Sequence, residues 1–109
     1  MDLRGTISVV GDLPVLALTG EIDLSSVPTL RDLLLRAAFE HPGMVIAVDL
    51  DGVDALDDVG LGVLLGSAAR LRQQGGDLVV VANRSRDRLA ATGFDRAVRV
   101  AAGLAEVRP

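Results

Sequence analysis

Apolar residues along this chain follow two different periods, and the points where one gives way to the other mark its elements. Thr6 to Val10 and Pro14 to Thr19 are short β-rich runs on either side of the turn pair Gly11-Asp12, and together they predict a hairpin. Gly20-Glu21-Ile22-Asp23-Leu24 follows, then Ser25-Ser26-Val27-Pro28. A serine can cap a free helical N–H, and a proline is tolerated in the first turn because its missing N–H has no partner there, so this stretch predicts a helix start. Val27, Leu30, Leu33, Leu34 and Ala37 then keep the helical period until His41-Pro42-Gly43 stops it.

Met44 to Val48 and Leu78 to Ala82 are unbroken apolar runs. Strands apolar on both faces are what a helix-covered parallel sheet requires. Val59 to Gln74, between them, is long enough for a crossover helix and is closed by Gly75-Gly76. Arg86 to Thr92 reads as a third helix ending at Gly93, and Val98 to Val100 as a last strand, with a tail from Gly103 too short to assign. The order β-β-α-β-α-β-α-β, with a terminal helix as an option, predicts one α/β domain over residues 1–109. Its expected core is a single open mixed, mostly parallel sheet flanked by helices. Each helix then leaves the carboxyl end of a strand, so Gly20 to Ser26, Asp51 to Asp58 and Asn83 to Ser85 share one sheet edge, where such folds place binding sites.

The second helix carries the strongest functional signal. At about 100° per residue, Leu61, Leu64, Leu65, Ala68 and Leu71 form a core stripe. Val59, Val63, Gly66 and Arg70 fall opposite, with Gly62 nearby, and that side turns polar only at Arg70, Gln73 and Gln74. A surface helix is normally polar there from its first turn. Gly60, Gly62 and Gly66 each cost roughly 1 kcal/mol relative to alanine, so close approach by another backbone is expected. Packing on the chain's own sheet accounts for some of these glycines but not for outward valines. The expectation is a protein-docking face formed by Val59, Gly60, Gly62, Val63 and Gly66, bordered by Asp23 and Asp58.

Composition narrows the chemistry. Across 109 residues the net charge is −4, against general nucleic-acid binding. All eleven basic residues are arginine, which removes Schiff-base lysines and a phosphate-loop lysine. Tyr and Trp are absent and Phe occurs only at 39 and 94, so no aromatic platform can stack bases. With no cysteine and only His41, disulfides, thiol nucleophiles, thiolate or histidine metal sites and a Ser-His arrangement all lack their parts. No apolar run approaches a membrane span, and Met1-Asp2-Leu3-Arg4-Gly5 does not read as a signal peptide, so a cytoplasmic location is expected. No enzyme activity, cofactor or metal is expected.

The motifs Gly20-Glu21-Ile22-Asp23-Leu24, Asp49-Leu50-Asp51-Gly52-Val53 and Asp57-x-x-Gly60-Leu61-Gly62-Val63-Leu64 resemble the STAS domain of bacterial anti-sigma factor antagonists, and Arg88-Leu89-x-x-x-Gly93-Phe94 fits as well. The resemblance spans nearly the whole chain. It implies transcriptional regulation by a cytoplasmic protein that binds an anti-sigma factor of the serine-kinase-like ATPase type. It also implies a serine near the start of the second helix whose phosphorylation breaks the contact. In the usual Asp-Ser-Ser-Gly-Leu pattern the second serine accepts phosphate. Here Asp57-Asp58-Val59-Gly60-Leu61 puts Val59 at that position and Asp58 before it, so phosphorylation at Val59 is impossible. Either the docking face is permanently competent or Asp58 partly imitates the phosphate; Asp58 also suits a helix start, and the first reading is preferred. The same surface could serve as a STAS subunit of a lipid-transporting ABC complex or a signalling scaffold.

Three other features have plainer explanations. Glu21, Asp23, Asp51, Asp54, Asp57 and Asp58 crowd the shared edge, but Asp49-Leu50-Asp51-Gly52 lacks EF-hand spacing and caps or solvated charges account for them. Asp49 also sits in a motif superficially like the nucleophile of haloacid-dehalogenase phosphatases, whose further groups are absent. Arg84, Arg86, Arg88, Arg96 and Arg99 read as a solvated face, and His41 as a partner of its helix end.

Overall fold

A computed structural model describes residues 2–107 of the chain. β1 (Arg4–Val10) and β2 (Leu13–Ile22) make the hairpin, paired without interruption from Arg4 opposite Thr19 to Val10 opposite Leu13. A 3-10 turn at Leu24–Ser26 leads into α1 (Val27–Glu40), followed by β3 (Val45–Leu56), α2 (Asp58–Gln73), β4 (Asp77–Val81) and α3 (Arg86–Ala91). A 3-10 turn at Phe94–Arg96, β5 (Arg99–Ala101) and a last 3-10 turn at Leu104–Glu106 complete it. The strands form one mixed, mostly parallel sheet, as the sequence pattern predicts, with β1 antiparallel to β2 and the others parallel; they lie in it in chain order. The optional terminal helix is only a 3-10 turn.

Parallel neighbours need crossovers, and crossovers are right-handed. Three crossovers of one hand along an unreversed strand order set all three helices on the same face. Their inward residues, among them Leu30, Leu34, Leu64, Ala68 and Leu89, form one cluster with Leu16, Leu18, Ile46, Val48, Leu78 and Val80. Alternation along the strands sends Val15, Ala47 and Val81 to the opposite face, where they are covered by Leu13, Leu104 and Val107 and by no helix. The double-sided apolarity of the strands is real, but a terminal turn does the work assigned to helices on the second side.

β3 departs most from expectation. Instead of leaving the sheet after Val48, it runs on to Leu56, with Gly52 opposite Thr19 and Leu56 opposite Ile22. The acidic segment expected as a loop from Asp51 is therefore strand. β2 adjusts to it with register irregularities near Thr19 and Gly20, and Gly20 has φ +100°, where a side chain would also overlap the carbonyl oxygen of Asp2. β4 accompanies β3 only as far as Asp49, opposite Val81. Beyond that point Arg84 closes the open edge. Its guanidinium donates to the carbonyls of Asp51 at 2.7 Å and Val53 at 3.2 Å, and the Asn83 N–H donates to the Asp51 carboxylate at 2.8 Å.

The entry to α1 is also capped differently. Asp23, and not a serine, accepts from the Ser26 N–H at 3.1 Å, while the Ser26 hydroxyl accepts from the Asp23 N–H at 2.9 Å. The two groups satisfy each other's orphan donors in a reciprocal box one turn earlier than the serine signal suggested.

Candidate functional site

The site is built where α2 leaves β3. Asp57 is the cap residue of α2, and its N–H donates to the Ile22 carbonyl at 2.9 Å, so the helix start is stitched beside Asp23 at the carboxyl edge of the sheet. Asp58, expected as a cap, lies inside the first turn. Its carboxylate is 2.9 Å from the Arg88 guanidinium of α3, and a negative charge there also suits the helix dipole.

Residues facing the core from α2 are Gly60, Leu61, Val63, Leu64, Ser67, Ala68 and Leu71. Two residues expected to face outward are thus corrected. At Gly60 an added Cβ would run into the Ile22 Cγ2, so this glycine serves the chain's own packing. Val63 is only 8% exposed, whereas Leu65, assigned to the core stripe, is 37% exposed. The two sit about 100° to either side of Leu64, so the wheel alone ranks them equally. Their neighbours decide. Val63 lies on the side that holds Ser67 and Arg70, which line one small cavity with Leu34, Leu35 and Ala38 of α1. Leu65 lies toward α3, whose six residues leave that flank open.

What remains outward is Val59, 38% exposed, with Gly62, Leu65, Gly66 and Ala69. Cβ atoms added at Gly62 or Gly66 would meet nothing within 4 Å, so neither glycine is explained by packing within the described residues. Together they make a low, apolar, backbone-rich strip. On its α3 side, Gly62 and Leu65 continue into a shallow groove bounded by Thr92, Phe94 and Ala97. Leu65 and this groove were missed from sequence; the small size of α3 was their only signal.

The bordering charges are individually committed. The Ser25 hydroxyl, donating at 2.6 Å, holds the Asp23 carboxyl below the usual carboxylate range; lost hydration opposes this and the Ser26 N–H assists it. Asp49 takes the Asp51 N–H at 2.9 Å and lies within β3, not at its end as the phosphatase chemistry requires. Arg84 and Arg88 bind strand carbonyls and Asp58 and so are structural, unlike the solvated face expected of them. Among the described residues no group of three or more His, Cys, Asp or Glu is placed to hold a metal ion. The His41 N–H donates to the Ala37 carbonyl at 3.0 Å, closing α1. Ser67 is 4% exposed and faces the core, whereas Ser25 is exposed.

Comparison with known proteins adds a family to this geometry. Residues 6–107 match the family model described as STAS domain. A curated relative, the anti-sigma-B factor antagonist of Bacillus subtilis (strain 168), is 38% identical over 61 residues, 56% of this chain and 54% of that protein. The match therefore spans about half of the relative's length. An anti-sigma factor antagonist from Mycobacterium paratuberculosis superposes with a TM-score of 0.80 at 23% identity, covering 96% of this chain and 90% of that one. The anti-sigma factor antagonist SpoIIAA in its unphosphorylated form gives 0.69 at 20% identity, covering 95% and 93%. The Bacillus SpoIIAA in its phosphorylated form gives 0.65 at 21%, covering 96% and 100%. These structural likenesses establish the shared fold.

Proposed function

The chain belongs to the STAS domain family, and on that premise we propose that it is a non-enzymatic anti-sigma factor antagonist that docks through the outward face at the start of α2. The observation that carries this reading is the pair of glycines at 62 and 66, open to solvent beside exposed Val59 and Leu65. Bare backbone flanked by apolar side chains is costly for an isolated helix and useful for one approached closely by another backbone. The partner is an anti-sigma factor of the serine-kinase-like ATPase type, met in the cytoplasm. No helix among the described residues is long and apolar enough to cross a membrane.

The face is constitutively competent. Val59 has no hydroxyl, and its side chain joins the apolar strip. Arg88, at 2.9 Å, offsets the charge of Asp58, so Asp58 does not reproduce an unpaired phosphate. Asp23 lies one residue beyond the Ile22 carbonyl that receives Asp57 and borders the strip, its carboxylate turned into its own cap. Gly60 and Val63 act from beneath by seating the helix.

The test is binding to a purified kinase-like anti-sigma factor from the same genome, measured calorimetrically with ATP present. The chain binds, and Gly66→Arg and Leu65→Arg each weaken binding at least tenfold, about 1.4 kcal/mol, with unchanged circular dichroism. Incubation with the kinase and ATP leaves the wild type unmodified, whereas Val59→Ser accepts phosphate. Undiminished binding by both arginine variants, or phosphate on wild-type Ser25, would sink the reading.

A further inference from the structure

The helix-free face of the sheet is covered over only part of its length. Register sets Val45 beside Asp77 in the outermost row of that face, at the amino ends of the parallel strands, and Ala47, Val79 and Arg99 side by side in the next. The closing turn brings Leu104 and Val107 over Val15, Ala47 and Val81. The row before it is left half open: Met44 and Val45 are 38% and 41% exposed, and Val10, paired with Leu13, extends the same apolar floor toward β1. Between Leu13, Val45, Val79 and Val107 lies a cavity of about 510 Å³. That volume, with a mainly apolar floor and few polar groups, suits a small molecule.

Three charged side chains line this cavity, Asp12, Asp77 and Arg99, and they differ in what they have left to give. The Asp77 carboxylate already accepts from the Arg72 guanidinium at 2.8 Å and from the Leu78 N–H at 2.7 Å. Asp12 belongs to the hairpin turn beside β2, and three strand spacings, about 14 Å, separate β2 from β5. Arg99 is the first residue of β5. It donates to the Glu106 carbonyl, which fixes the guanidinium against the closing turn, and no carboxylate pairs with it among the described residues. A guanidinium held by one nitrogen keeps further donors in a planar fork, the geometry that matches a carboxylate.

From these observations we propose that the cavity binds a free, small amphiphilic carboxylate, with its acid group on Arg99 and its aliphatic body along Val79, Val45 and Leu13. The charge order supports this direction of binding: the uncommitted cation stands at the β5 end, and the carboxylate of Asp12 stands at the far end, where it repels the acid group and leaves the apolar tail unaffected. Burying the tail removes exposed valine and methionine surface from water, and the charge-assisted hydrogen bonds at Arg99 fix which end enters where. Glu106 and Val107 form the wall on the Arg99 side, so the bound acid also steadies the closing turn. The cavity opens at the amino ends of the strands and the docking strip stands at their carboxyl edge, so each can be filled while the other is occupied.

Calorimetric titration of the full chain with octanoate, kept below its micelle concentration, tests this. Saturable binding of one octanoate per chain is expected, with slowed amide exchange over residues 99–107. Arg99→Gln weakens it about tenfold while Arg99→Lys restores most of the affinity, and Val45→Trp, whose ring occupies the floor, also weakens it about tenfold. Octanol, with the same tail and no charge, binds about tenfold more weakly than octanoate. Arg86→Gln, which removes an exposed charge on α3, changes nothing. Heats that never saturate overturn the proposal, as does equal affinity for octanol or undiminished binding by Arg99→Gln or by Val45→Trp. A dimer formed through Val45 that octanoate fails to dissociate overturns it in favour of a second copy.

Discussion

Gly60, Gly62 and Gly66 stand within seven residues on one helix, yet substitution separates them. Gly60→Ala forces a methyl group against Ile22 and is expected to destabilise the fold by roughly 1–3 kcal/mol in urea denaturation. Gly62→Ala and Gly66→Ala meet no neighbour, so each is expected to raise stability by about 0.5–1 kcal/mol while weakening partner binding. A glycine that lowers stability without an internal reason marks a surface kept for something else. The sequence could count the three glycines but could not sort them, because sorting depends on where Ile22 comes to rest. The exchange of Val63 for Leu65 has the same origin, since two positions equidistant from Leu64 are told apart only by the sizes of α1 and α3. Asp23 adds a pH signature. Its carboxyl is held below the usual range, so its contribution is complete above the ordinary carboxylate range and is lost as pH falls through the lowered value. The stability gap between wild type and Asp23→Ala, followed against pH, should close on the acid side and stay constant near neutrality.

At the scale of elements, β3 and its Arg84 clamp are the main departure from the hydrophobic pattern. Asp51 and Asp54 interrupt the apolar alternation and read as loop, but pairing of β3 with the long β2 holds them in strand. Strand length here is set by the neighbour's reach, a tertiary fact. Arg84→Ala should leave the Asp51 and Val53 carbonyls to water, costing about 1 kcal/mol, and should speed amide exchange over residues 52–56 more than in β4. The hairpin, α1, α2, β4 and the parallel order were legible because each has a strong period and a turn signal at both ends. Asp23 as the cap of the turn before α1 was not, because two serines beside it offered the same chemistry. The Asp58–Arg88 pair joins α2 to α3 at the surface, with side chains 83% and 44% exposed. Arg88→Ala should therefore cost less than about 1 kcal/mol, and high salt should erase the difference.

Across the whole molecule, one-handed crossovers and unreversed strand order put every helix on one side and leave the other face to a short terminal turn. Leu104 and Val107 over Val15, Ala47 and Val81 are its cover, and Leu104→Asp should destabilise the fold by about 2 kcal/mol in the same urea assay, through wetting of that small cluster. The family was readable from three motifs in order, because those motifs are the turns that the strand order requires. The layering was not, since it depends on handedness rather than on residue type. Chain-order strands have one more consequence, which concerns how the molecule comes into being. No strand has to slip between two already joined, so each βα unit leaving the ribosome can add to a finished margin of the growing sheet. The face proposed for docking is assembled midway along this sequence of additions, with its supporting strand β2 already waiting for it.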